Sequence, residues 1–97
     1  TAADATGERV WQLPLYPEYT QAIESDTADV KNTGGRMGGV GTSAAFLKTF
    51  VDYPTWAHID MAGMMKDQKG NPYIPAQGAS GYGARLLAAV AEAWANQ

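Results

Sequence analysis

An α/β fold is what this sequence predicts, on three observations. Apolar residues recur at helical spacing in separate stretches, short strand-like segments lie between them, and clusters of glycine and proline divide one from the next. The resulting order is helix, strand, helix, strand, helix, an alternation that reads as part of a sheet with helices on its faces. Two short strands do not make a stable sheet alone, so the missing strands are expected upstream of Thr1.

Taken in order, residues 1–8 read as the tail of something, with a helix stop at Gly7. Trp11, Leu13 and Leu15 alternate, but Pro14 and Pro17 break any regular ladder there. Pro17 suits the first turn of a helix, and Glu18 puts negative charge at its positive end. Tyr19 and Ile23 give that helix a narrow apolar side through about Ser25, and Ala28-Asp29-Val30 is a buried strand stub. A glycine-rich loop then leads into Thr42. Thr42 or Ser43 is the expected cap of a helix carrying Phe46, Leu47, Phe50 and Val51, which Pro54 ends. Trp56 to Ala62 is the best strand candidate, and Lys66 to Gly81 is irregular. A final helix is expected from about Tyr82 to Trp94, with Leu86, Leu87, Val90 and Trp94 on one side.

Composition limits the function classes. The chain has 97 residues, one domain at most or a piece of a larger one. A chain of this length buries only about 60–68% of its unfolded surface, so a free-standing fold would be marginal. Lys and Arg number 7 against 10 Asp and Glu, a net charge of −3 that repels phosphate backbones and argues against nucleic-acid binding. The absence of cysteine excludes a disulfide framework, Cys-ligated zinc and thiol catalysis. No apolar run approaches the roughly 20 residues that span a bilayer, and no basic-then-apolar leader opens the chain. A soluble, cytoplasmic protein is the expectation. The opening Thr-Ala-Ala-Asp, without Met, suggests a chain that starts inside a longer protein or after processing.

Several residues invite chemistry. The segment Gly34 to Gly41, with Arg36, suggests a phosphate loop, since glycines let backbone N–H groups turn toward an anion. It lacks the Lys-Ser/Thr ending of a P-loop and the spacing of a dinucleotide fold, and a tight crossover close to neighbouring backbone is favoured. His58, the one histidine, shares a strand face with Asp60, but no second His, Cys or nearby Glu completes a ligand set. A hydrogen-bonded structural histidine is the better reading. Asp29 and Asp60 are weak candidates for a dimetal centre, and hydrogen bonding to loop or helix-start N–H groups is preferred for both. Met61, Met64 and Met65 fit core packing and an adaptable pocket wall equally.

Several strings, in order, resemble the C-terminal third of the catalytic domain of leucyl (cytosol) aminopeptidases. They are Thr6-Gly7-Glu8 with Trp11 and Pro14-Leu15, then Tyr19, Ala28-Asp29-Val30 and Asn32. The glycine loop into Thr42, Ala44-Ala45-Phe46-Leu47, Phe50 and Trp56-Ala57-His58-Ile59-Asp60-Met61-Ala62-Gly63 follow. Last comes Gly78-Ala79-Ser80-Gly81, where the family usually has Gly-Ala-Thr-Gly. The resemblance implies a helix-strand-helix-strand-helix piece of a three-layer α/β/α peptidase domain with a mixed central sheet, over residues 1–97. It also implies an enzyme that removes N-terminal residues from peptides, using two divalent ions, zinc or manganese, to activate a bridging water.

In that family the metal-binding Lys, Asp and Glu residues, a second Lys and an Arg lie in segments before this one, so the chain is expected to supply no catalytic residue and no metal ligand. By resemblance, Ala62 and Met65 match the wall of the pocket for the peptide's first side chain. Thr33 matches a position lining the next subsite, where the family usually has an aliphatic residue. The expected partners are the upstream segment of the same domain, peptide substrates and further copies in a homo-hexamer, with neither nucleic acid nor membrane. Alone, the 97-residue chain is expected to be inactive. The alternatives are a non-catalytic binding or assembly module derived from the same family, and nucleotide binding through the glycine loop.

Overall fold

Among the described residues four helices and one short turn organise the chain, and each can be traced to its sequence. The computed structural model describes residues 1–64, 72, 74 and 77–97. Helix α1 spans Ala2–Thr6 and stops at Gly7, which takes the left-handed conformation that glycine adopts without penalty. Helix α2, Pro17–Gln21, starts with the fixed φ of proline in its first turn and Glu18 beside it. Helix α3 is Gly39–Thr49 and helix α4 is Ala84–Ala95. A single 3-10 turn, Ala62–Met64, lies between them in sequence. No helix among the described residues is long and apolar enough to cross a membrane.

The chain divides into two compact units, Gln12–Asp60 and the combination of Thr1–Trp11 with Met61–Gln97. In the first, α2 packs against α3. Ile23, just past α2, is fully buried, and Thr42 and Ala45 form the buried face of α3. The close packing depends on missing side chains. A Cβ placed on Gly41 would lie 2.6 Å from Tyr19 Cε2, and one on Gly34 would lie 2.5 Å from Thr42 Cγ2. In the second unit α1 packs against α4, and Leu86 is the buried apolar side chain of α4.

The α/β expectation is overturned: among the described residues there is no strand, and every regular element is helical. The helix-strand-helix-strand-helix piece of a three-layer α/β/α peptidase domain with a mixed central sheet is therefore not what this chain forms. Both strand segments fail for identifiable reasons. Ala28-Asp29-Val30 lies in a loop closed by local hydrogen bonds. The Lys31 N–H donates to the Ile23 carbonyl at 2.7 Å, and Ser25 Oγ accepts the N–H groups of Thr27 and Ala28 at 3.3 and 3.1 Å. Such local bonds compete with a ladder and here replace it. Trp56 to Ala62 has strand-like composition, but a strand exists only through a paired neighbour, and no described residue supplies one. Its end, Ala62, instead begins the 3-10 turn.

The start of α3 and its apolar face also differ from expectation. Helix α3 begins at Gly39, before the anticipated Thr42 or Ser43 cap, because Gly38 turns the chain at φ 68°. Thr42 becomes an interior residue whose Oγ1 donates back to the carbonyls of Gly38 and Gly39, both at 3.4 Å. Of the apolar face expected for this helix, Leu47 is 45% and Phe50 62% exposed, while Phe46 and Val51 are half-buried.

Candidate functional site

A buried carboxylate organises the unit formed by Thr1–Trp11 and Met61–Gln97. The N-cap of α4 is Gly83, which has no side chain to satisfy the first N–H groups of the helix, and no acidic residue lies in its first turn. Glu8 supplies what is missing. Its Oε2 accepts the N–H of Gly83 at 3.2 Å and of Leu86 at 2.8 Å, while Oε1 lies 3.6 Å from Arg85 Nε. The negative charge thus sits where the helix dipole favours it, and Glu8 is only 6% exposed. One residue later, the Arg9 carbonyl accepts the Tyr82 hydroxyl at 2.6 Å.

The same helix start connects to the 3-10 turn. Ser80 Oγ donates to the Met64 carbonyl and accepts the Tyr82 N–H at 3.2 Å. Within the turn, the Met64 N–H donates to the Met61 carbonyl at 2.9 Å. The Met61 side chain runs beside Gly83, where an added Cβ would meet its Cε at 3.6 Å. Ala62, the first residue of the turn, is exposed. Of the two residues matched to the first-side-chain pocket, Ala62 is therefore presented on this turn, and Met65 lies outside the described residues.

The unit Gln12–Asp60 carries the other candidates. Thr33 is exposed, in the loop that precedes α3. It belongs to a different unit from Ala62, and each is positioned by its own surroundings. The glycine segment is absorbed by packing: Gly38 caps α3, and Gly34 and Gly41 lie against the side chains of Thr42 and Tyr19. The close neighbours are side chains, where backbone was anticipated. Arg36 in the same segment is exposed.

His58 is held by stacking. Its ring lies 6.3 Å from that of Trp56 at an interplanar angle of 12°, and Lys48 Nζ sits 5.6 Å from the Trp56 ring centroid. Lys48 also donates to the Tyr53 carbonyl at 3.3 Å. Among the described residues no hydrogen bond reaches the His58 ring, so the expected hydrogen-bonded histidine is replaced by a stacked one. Asp29 and Asp60 are exposed, and the amide-binding role anticipated for them is performed by Glu8. Among the described residues no three His, Cys, Asp or Glu side chains converge. Among the described residues the donors do not fit a ligand set for either of the divalent ions implied by the resemblance.

Glu8 and Ser80 had appeared in the sequence only as parts of matching strings. The signal that points to Glu8 is indirect. A helix starting at Gly83-Ala84-Arg85, with neither a capping side chain nor an acid of its own, requires an acceptor from elsewhere. Ser80 is legible only as a Ser between glycines, a common turn composition.

Comparison with known proteins gives a consistent result. The family model described as the cytosol aminopeptidase family, catalytic domain, matches residues 1–88. A probable cytosol aminopeptidase of Geobacter sulfurreducens is 52% identical over 86 residues, covering 89% of this chain and 17% of the relative. One from Chlorobaculum parvum is 48% identical over 94 residues, covering 96% and 18%. One from Synechococcus elongatus is 51% identical over 86 residues, covering 89% and 18%. The chain thus spans 17–18% of the length of these curated relatives. With almost its whole length matched at about half identity, this chain belongs to the cytosol aminopeptidase family, as a segment of the catalytic domain.

Proposed function

We propose that the chain is the C-terminal part of the catalytic domain of a dimetal-dependent leucyl aminopeptidase, which releases N-terminal residues from peptides. It serves as scaffold and as a wall of the substrate pocket, and it is inactive alone. The observation that carries this reading is the match of residues 1–88 to the catalytic domain, a stretch that includes Thr33 and the Ala62–Met64 turn. The names of the relatives, each a probable cytosol aminopeptidase, support peptide N-termini as the substrate class. In this reading the divalent ions, zinc or manganese, belong to ligands on the upstream segment, with which the chain is covalently continuous or on which it docks. The assembled parent is a cytoplasmic homo-hexamer.

The exposed methyl group of Ala62 lines the pocket for the peptide's first side chain, together with Met65, while Thr33 borders the next subsite. An apolar wall discriminates weakly, by about 1–3 kcal/mol per methylene, so several apolar N-terminal residues are accepted. Enlarging the wall tests the assignment. In the full-length protein Ala62→Leu should reduce kcat/KM for leucine p-nitroanilide relative to alanine p-nitroanilide by about tenfold or more. An unchanged preference would sink the pocket role. The isolated chain, supplied with zinc or manganese, should release no N-terminal residue from a peptide. Release by it alone would overturn the claim of inactivity.

A further inference from the structure

One hydroxyl joins two parts of the unit that contains Ala62. Ser80 Oγ donates to the carbonyl of Met64, the last residue of the 3-10 turn. It also accepts the N–H of Tyr82, which directly precedes the N-cap of α4. The Tyr82 side is fixed: its hydroxyl binds the Arg9 carbonyl, and the next amide, that of Gly83, binds the buried Glu8 carboxylate. The other side is a single 3-10 turn, closed by the Met64 N–H donating to the Met61 carbonyl at 2.9 Å. A turn of three residues with a glycine at its centre has little rigidity of its own, so its setting depends on what grips it from outside.

We infer that Ser80 is a positioning residue for substrate selection, whose hydroxyl holds the Ala62–Met64 turn against the start of α4 and so sets the place of the pocket wall. The inference rests on the pocket reading of Ala62 given above. The position needs a group that donates and accepts together, which a hydroxyl does and a methyl does not. Threonine also carries a hydroxyl and meets the same requirement.

The test uses the full-length protein with its metals. Steady-state hydrolysis of leucine and alanine p-nitroanilides is compared for the parent, Ser80→Ala, Ser80→Thr and Ala62→Leu, with a thermal melt of each. Ser80→Ala should lower the leucine-to-alanine ratio of kcat/KM about three- to tenfold, the weight of one neutral hydrogen bond, with the loss chiefly in KM. Ser80→Thr should retain the ratio. An unchanged ratio in Ser80→Ala, with a lowered melting temperature, would show a purely structural bond and overturn the inference. So would a Ser80→Thr variant that loses as much as Ser80→Ala. A shift in Ala62→Leu without one in Ser80→Ala overturns this inference alone, whereas no shift in Ala62→Leu overturns it together with the pocket reading. Should Ser80→Ala fail to fold, Ser80→Cys replaces it, since a thiol is a weak donor. Its ratio should fall between those of the other two, and a ratio equal to the parent's would overturn the inference.

Discussion

A carboxylate that is only 6% exposed costs free energy unless its oxygens find donors, and Glu8 finds the amides of Gly83 and Leu86. Removing it leaves both amides at the start of α4 without an acceptor. Glu8→Ala should therefore destabilise the protein by about 1–3 kcal/mol, the range for a lost cap and buried unpaired donors. Glu8→Gln keeps one acceptor oxygen and should lose less. Denaturant unfolding of the two variants checks the order, and equal stability of Glu8→Ala and the parent would contradict the role. Little of this was legible beforehand, because the partners are 75 and 78 residues away in sequence. Ala62 and Thr33 were named through the family strings, and nothing in their own chemistry marks them. His58 and Asp60 attracted attention as residue types, yet the ring stacked beside the histidine is the Trp56 indole.

At the scale of elements, helices were far more legible than strands. Proline at the start of α2, glycine after α1 and the apolar spacing of α4 act locally, so the sequence carries them without reference to the rest. A strand needs a neighbour, and composition at Trp56 to Ala62 says nothing about whether one is present. The interior face of α3 misled for a related reason. Its aromatic and aliphatic residues suggested the contact, whereas the contact is made by Thr42 and Ala45, beside Gly41. Gly41 and Tyr19 bring α3 and α2 close together, since a Cβ added at Gly41 would lie 2.6 Å from the Tyr19 ring. Gly41→Ala should cost about 1–3 kcal/mol by overpacking, although alanine is the better helix former. Pairing it with Tyr19→Leu should return part of that loss, measurable in a double-mutant cycle. Strict additivity of the two substitutions would show that the ring does not obstruct the added methyl.

Across the molecule, the buried apolar side chains among the described residues are Ile23, Ala45 and Leu86. Three such side chains are a small core, since a fully buried one contributes only about 1.5–3 kcal/mol. Large apolar residues stay outside, including Trp11 at 89%, Trp94 at 58% and Leu87 at 57% exposure. This accords with a chain that spans 17–18% of its relatives' length.

The nesting of the two units has a kinetic consequence. Gln12–Asp60 is continuous in sequence, whereas its companion is assembled from both ends of the chain. Contacts between near neighbours close quickly, and joining distant segments first demands a large loss of chain entropy. On refolding, the amides of α3 should gain protection from hydrogen exchange before those of Gly83 and Leu86, as pulse labelling would reveal. Simultaneous protection would contradict this order. During synthesis Glu8 leaves the ribosome long before the helix it will cap, so its carboxylate stays hydrated until Gly83 and Leu86 follow.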